Sequence, residues 1–196
     1  MNPPPETDTA AQTTGNGDDA APRDEALMES LQHGNELALT ELMARWETGI
    51  KTFLLRLGVP GADVEDVAQE TFIRVFEKRA TYRTGSAFKP WVLTIAGNLG
   101  RNRLRWRWRR REENLDAANS VESAEIHSGA ESDIGPLVRA AVDALPDKLR
   151  HAVVCVELED LSYNEAAQAT GCTPKAVETR LYRARELLRQ RLKSII

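Results

Sequence analysis

The stretch from Thr173 to Lys193, TPKAVETRLYRARELLRQRLK, constrains the fold more than any other, because it joins a helix start, an apolar stripe and a cationic surface. Thr173 is a good N-cap, and Pro174 follows at the first helical position, where its missing N–H costs nothing. Val177, Leu181, Ala184, Leu188 and Leu192 recur at spacings of three and four, so one face must pack on something. Lys175, Arg180, Arg183, Arg185, Arg189, Arg191 and Lys193 outnumber Glu178 and Glu186 on the remaining surface. Such a surface suits a phosphate backbone.

The residues just before it sharpen this reading. Ser162-Tyr163-Asn164-Glu165 has the S-x-x-E spacing of a capping box, opening a short helix through Ala166, Ala167 and Ala169. Gly171 supplies a turn. A short small-residue helix, a glycine turn and a basic second helix make a helix-turn-helix, whose second helix enters the major groove while the first braces it. The bland alternative is an ordinary helical hairpin with a solvated basic face.

A chain of 196 residues, 41% hydrophobic, can bury one core of ordinary size or two small ones. Its net charge of -4 averages over segments of opposite sign. Arg101, Arg103, Arg105, Arg107, Arg109, Arg110 and Arg111, with the seven bases of the last helix, hold fourteen of the 26 Lys and Arg, whereas residues 112–135 carry seven acids and no Lys or Arg. Local charge governs binding, so the overall acidity does not exclude DNA. Cys155 and Cys172 lack a C-x-x-C partner and read as reduced packing residues, and His33, His127 and His151 are scattered. The expectation is therefore no metal and no cofactor. Nothing approaches the ~20 apolar residues of a membrane span, and the amino terminus has no basic-then-apolar signal. A soluble cytoplasmic protein is expected.

Residues 1–22 are rich in Pro, Thr, Ala, Gly and Asp and are expected to be a disordered tail. Helices are predicted at about 24–33, 35–57, 63–79 and 86–109, with Val64, Val67, Phe72, Val75 and Phe76, then Phe88, Val92, Ile95 and Leu99, as core stripes. Segment 112–135 reads as a flexible acidic linker. A second domain follows at 136–196, with one short helix ended by Pro146, another through Leu149, Ala152, Val153 and Val156, and then the helix-turn-helix. The fold class is thus all-α, two small helical domains at 23–111 and 136–196. In RNRLRWRWRRR the arginines surround a helix at α pitch, which suits the end of a helix held against nucleic acid or a polyanionic partner, with Trp106 and Trp108 as stacking surfaces or packing anchors.

With both halves read, the chain resembles a bacterial RNA polymerase sigma factor of the extracytoplasmic-function group. Asp63-Val-Glu-Asp-Val-Ala-Gln-Glu-Thr-Phe72, then Ser86-Ala-Phe-Lys-Pro-Trp91 and Ile95-Ala-Gly-Asn98, are similar to the group's D-x-E-D-x-x-Q-E-x-F, F-x-x-W and I-A-x-N. Leu145-Pro146, Leu161-Ser-Tyr-Asn-Glu-Ala-Ala167 and Val177-Glu-Thr-Arg-Leu-Tyr-Arg-Ala-Arg185 resemble its L-P, L-S-Y-x-E-I-A and V-x-S-R-L-x-R-A-R. Any one would be weak; together and in order they are highly specific.

The resemblance implies an initiation factor that docks on core polymerase, reads two promoter elements and helps melt the duplex without catalysing a reaction. Asp66, Gln69 and Glu70 fall where the group contacts the clamp helices of the largest polymerase subunit. Arg74, Lys78, Tyr82, the loop Arg83 to Ala87 with Ser86, and Asn98 and Asn102 fall where it captures an extruded base of the melted (-10) element. Arg101 and Arg105 extend that surface. On the last helix, Thr173, Lys175, Ala176, Glu178, Thr179, Arg180, Tyr182 and Arg183 would read the upstream (-35) element. An anti-sigma factor is the expected further partner. Three positions depart from the pattern: Pro90 inside the fourth helix, Leu93 at a pocket position often polar or aromatic, and Glu178 where a base is common. For Glu178 two roles stand open, a contact to the exocyclic amine of cytosine or a pairing with Arg185 or Lys175. The competing reading is a stand-alone helix-turn-helix regulator, which does not explain Asp63 to Phe72.

Overall fold

The computed structural model describes residues 23–113 and 134–193; the expected tail and most of the expected linker lie outside the described residues. Among the described residues the regular elements are all helical. They are α1 (Asp24–Gln32), α2 (Leu37–Arg56), α3 (Gly61–Lys78), α4 (Phe88–Glu113), α5 (Ile134–Asp143), α6 (Asp147–Val153), α7 (Tyr163–Thr170) and α8 (Pro174–Lys193). A 3-10 turn at Arg79–Thr81 follows α3, and a π turn at Val154–Leu158 extends α6.

The apolar stripes do what their spacing predicts. Val64, Val67, Phe72 and Val75 of α3 and Phe88, Val92, Leu93 and Ile95 of α4 are buried in one core with Phe53 and Leu54 of α2. Two expected departures resolve in this packing. Leu93 is a core residue, 1% exposed. Pro90 falls in the first turn of α4, because that helix begins at Phe88, so its missing N–H is one that no intrahelical carbonyl would have met.

The helix-turn-helix forms by its predicted signals. Ser162 Oγ accepts from Glu165 N at 3.3 Å while Glu165 Oε2 accepts from Ser162 N at 2.8 Å, closing the capping box. Gly171 ends α7 in the left-handed region at φ 62°, with Cys172 N donating to Ala167 O at 3.0 Å and Gly171 N to Gln168 O at 3.3 Å. That bond pair is a Schellman closure, which only glycine adopts without strain. Val177, Leu181 and Ala184 then bury the inner stripe of α8.

The core does not stop between the two helical sets. It runs from α2, α3 and α4 into Ala152, Val153, Cys155, Ala166, Ala169 and Leu181, with α7 lying on α4. Two helix ends are shared across this boundary. His151 and Arg150 of α6 donate to the Leu57 carbonyl that closes α2, at 3.0 and 3.2 Å, and Arg101 of α4 donates to the Ala169 carbonyl in the last turn of α7. Carbonyls at helix C-termini lack intrahelical partners, so donors from a neighbouring element satisfy them.

Candidate nucleic-acid and polymerase interfaces

The loop between α3 and α4 is anchored at both ends. Gln32 Nε2 donates to the Arg79 and Tyr82 carbonyls at 2.7 and 2.9 Å, and Glu25 Oε1 accepts from Phe88 N at 3.1 Å, capping α4 from a distance of 63 residues. This bond to Phe88 holds the Glu25 carboxyl below its usual pKa. Between the anchors, Arg83 is exposed, Ser86 is half-buried and donates its N–H to the Arg83 carbonyl, and Gly85 takes a positive φ of 79°. Tyr82, expected among the base-capturing residues, does not present its ring on the surface. It is only 3% exposed, its hydroxyl donates to the Ser86 carbonyl, and its ring meets Trp91 edge-on at 5.2 Å. It braces the loop from below. Burial raises its phenol to about 12, with Glu25 and Glu29 nearby adding to the effect. Trp91 packs on the core.

On α4, Asn98, Asn102 and Arg105 are exposed and recur at helical spacing. Arg101 lies on that side but is turned away. Its guanidinium reaches Asn98 Oδ1 and Ala169 O, and burial pulls its pKa down, with Arg105 as a like-charged neighbour. Arg103 and Arg107 lean back onto Asp63 at 3.4 and 2.9 Å, Arg103 also standing 3.9 Å from Asp66. Trp106 and Trp108 are exposed, and Arg110 lies 4.8 Å over the Trp106 ring.

Along α3, Asp66 and Gln69 are exposed and Glu70 half-buried. Gln69 donates to Glu65 at 3.2 Å, and Arg74 joins Glu70 at 3.3 Å and Glu77 at 2.8 Å, while Lys78 is exposed at the helix end. Beside Gln69 an open groove of about 490 Å³ runs between α2 and α3, floored by Phe72 and rimmed by Met43 and Ile73. Ile73 is 57% exposed, which sequence spacing alone did not single out.

On α8, Thr173 Oγ1 accepts from Ala176 N at 3.2 Å, so this residue caps the helix as predicted. Lys175, Glu178, Thr179, Tyr182 and Arg183 are exposed, Tyr182 by 68%. Thr179 Oγ1 donates to the Lys175 carbonyl at 2.9 Å. Ala176 and Arg180 are half-buried. Glu178 pairs with Lys175 at 2.8 Å, whereas Arg185 pairs with Glu157 at 2.5 Å. Sequence reasoning missed Gln32, Glu25, Arg150, His151 and Glu159. Each acts through a contact at least 47 residues away, except that Arg150 also holds nearby groups, and no local pattern encodes such contacts.

A basic helix-turn-helix packed on a helical unit with a cross-anchored loop defines a DNA-binding transcription protein of the sigma-70 type. Residues 42–110 match the family model for Sigma-70 region 2, and residues 137–188 match that for Sigma-70, region 4. The chain is 30% identical over 187 residues to the ECF RNA polymerase sigma-E factors of Salmonella typhimurium and Escherichia coli, covering 88% of this chain and 96% of each relative. Among solved structures it resembles CnrH in complex with the cytosolic domain of CnrY, at 26% identity and a TM-score of 0.62 over 87% of this chain and 97% of that one. It also resembles the sigma factor RpoE in complex with the anti-sigma factor NepR from Bartonella quintana, at 25% identity and a TM-score of 0.67 over 79% and 96%. The chain belongs to the extracytoplasmic-function (ECF) sigma factors, the transcription initiation factors of RNA polymerase.

Proposed function

We propose that the two helical units divide the work of initiation. The exposed acids and amide of α3 (Asp66, Gln69, Glu70), together with the apolar groove beside them, dock on core polymerase. An exposed Ile73 and Met43 next to a polar rim fit such a docking surface, since apolar anchors ringed by polar groups carry most interface energy. The loop Arg83 to Ala87, with Asn98 and Asn102 facing out from α4, takes an unstacked base of the melted element. Amides reach base edges, and Arg74, Lys78 and Arg105 meet phosphates. α8 reads the upstream element with Lys175, Glu178, Thr179, Tyr182 and Arg183.

The observation that carries this reading is the loop fixed at both ends by Gln32 and Glu25, with exposed amides beside it: a rigid rim lowers the entropy lost in holding a flipped base. In this role the chain acts in the cytoplasm, catalyses no reaction and is held by an anti-sigma factor when idle. Among the described residues no helix is long and apolar enough to cross a membrane. The test is sequencing of transcripts made on genomic templates by core polymerase with and without the chain. New, defined start sites are expected. Unchanged initiation would overturn the reading.

A further inference from the structure

Asn98, Arg101 and Asn102 follow one another along the face of α4 beside the base-capturing loop, and the second of them fixes how the first is turned. The Arg101 guanidinium donates through Nη1 to the Ala169 carbonyl and through Nη2 to Asn98 Oδ1. It has room to lie there because Gly171 carries no side chain: a Cβ at that position would stand 3.1 Å from Nη2. Arg101 is half-buried and Asn98 is exposed, so the amide is gripped on its inner edge and its other edge meets solvent.

The chemistry of the two groups dictates which edge is outward. A guanidinium carries N–H donors and no acceptor, so it can hold an amide only by the oxygen. Turning the Asn98 amide over would set its N–H2 against Nη2, donor against donor, and forfeit a hydrogen bond to a charged group. The pairing joins residues three apart on one helix and draws on no other element. Asn98 therefore presents N–H donors to whatever meets this face, with its oxygen already committed.

Base edges differ in how they answer such a group. Asparagine recognises adenine by using both amide edges at once, accepting from the exocyclic amine while donating to the ring nitrogen. The committed oxygen of Asn98 removes half of that pairing. Thymine has an exocyclic carbonyl on each side of its ring N–H, so one of them meets the amide in either orientation of an unpaired base. Cytosine and guanine have one each, and adenine has none.

We propose that Arg101 is a positioning residue for base capture: it holds the Asn98 amide with its N–H2 outward, so that this face of α4 selects an unpaired base bearing an exocyclic carbonyl, thymine above all, and discriminates against adenine. The proposal rests on the initiation reading above and supplies the base chemistry of that same site. Arg101 acts through Asn98 and makes no base contact of its own.

The test is selection by core polymerase plus the full chain from promoter fragments randomised over the melted (-10) element, with wild type, Arg101→Ala, Arg101→Lys and Asn98→Asp compared. The captured position is the one whose preference Asn98→Asp alters. Wild type is expected to favour thymine there, with adenine about three- to tenfold below it, the range that one hydrogen bond spans. Arg101→Ala releases the amide to turn, so adenine should recover to within about twofold of thymine at that position alone. Arg101→Lys, whose ammonium is also a donor without an acceptor, should keep the wild-type preference. Asn98→Asp, which only accepts, should move the preference to a base with an exocyclic amine. A wild-type preference for adenine at that position, or an unchanged profile for Arg101→Ala, would overturn the assignment. So would uniform weakening by Arg101→Ala at every position, which would leave Arg101 a fold or phosphate residue only. Enrichment of no sequence by wild type would overturn the initiation reading, and this proposal with it.

Discussion

Arg107, near the end of α4, and Asp63, at the start of α3, are joined at 2.9 Å, and Arg103 one turn earlier shares the same carboxylate at 3.4 Å. Asp63 is therefore both a first-turn acid, favoured by the helix dipole, and a bracket tying the arginine run to the body of the protein. The run is divided by this bracket. Arg103 and Arg107 are partly neutralised, while Arg105 is exposed on the same side of α4 as Asn98 and Asn102.

The division has a measurable consequence. Each phosphate contact adds about one unit to the slope of log affinity against log salt. Arg105→Gln should reduce the salt slope of the promoter complex formed with core polymerase by about one, uniformly across sequences. Arg107→Gln should change it by less than half as much. Equal slopes for wild type and Arg105→Gln would place Arg105 in solvent.

His151 links the domain boundary to pH. Its imidazole is 7% exposed, donates to the Leu57 carbonyl, and is held below its ordinary pKa of 6.5 chiefly by burial, with Arg150 and Arg101 lowering it further and Asp147 opposing them. The closed arrangement thus binds fewer protons than a state in which this ring is solvated. Its stability is complete above about pH 6.5 and declines as pH falls through and below that value. Scattering between pH 8 and pH 5.5 should record expansion at the acid end, and His151→Gln, which keeps an N–H donor, should flatten the profile. A His151→Gln profile superimposable on wild type would rule this residue out.

The helices and the turn chemistry were legible because they rest on short-range rules. Ser162 with Glu165, Gly171, and Thr173 with Pro174 each specify their geometry within four residues, and the stripe of Val177, Leu181 and Ala184 specifies its face. The candidate site was legible in part. Exposure of Asn98, Asn102, Lys175 and Arg183 followed from helical pitch, but the burial of Tyr82 and the turning of Arg101 did not. Tyr82 sits where a loop folds under itself, so its environment is set by Trp91 and Phe88 from the next helix. Arg101 looked like one base among seven. Only the arrival of α7, some 68 residues later in the chain, distinguishes it. The acidic segment between the units suggested independence, and the shared core with its helix-end bonds depends on complementarity that composition does not record.

The two cysteines should differ in reactivity. Cys155 is 1% exposed and burial pushes its thiol up to about 12, whereas Cys172 is half-buried and lies 3.2 Å from the Thr170 hydroxyl. Only a thiolate attacks an alkylating reagent. Iodoacetamide at pH 8 should therefore modify Cys172 while leaving Cys155 intact until the fold opens, as read by peptide mass spectrometry. Equal labelling of both in the native chain would mean that the boundary around Cys155 is open.

Glu178 is the residue on which the reading face of α8 turns. A carboxylate near phosphates is tolerated only with a compensating partner, and in the free chain Glu178 pairs with Lys175 at 2.8 Å. Both side chains are exposed, so the pair itself contributes about 0–1 kcal/mol. Its effect is on availability, because Lys175 is neutralised and directed along the helix. Glu178→Ala should free that ammonium and remove a repulsive charge, raising affinity for the upstream element about two- to fivefold at all sequences. Arg183→Ala, which has no such compensation, should lower binding broadly. Selection from a randomised upstream element decides the matter: an unchanged base preference for Glu178→Ala supports the orienting role. A preference altered at one position would instead make Glu178 a reader of the cytosine amine, with about 1–3 kcal/mol of discrimination at that base pair.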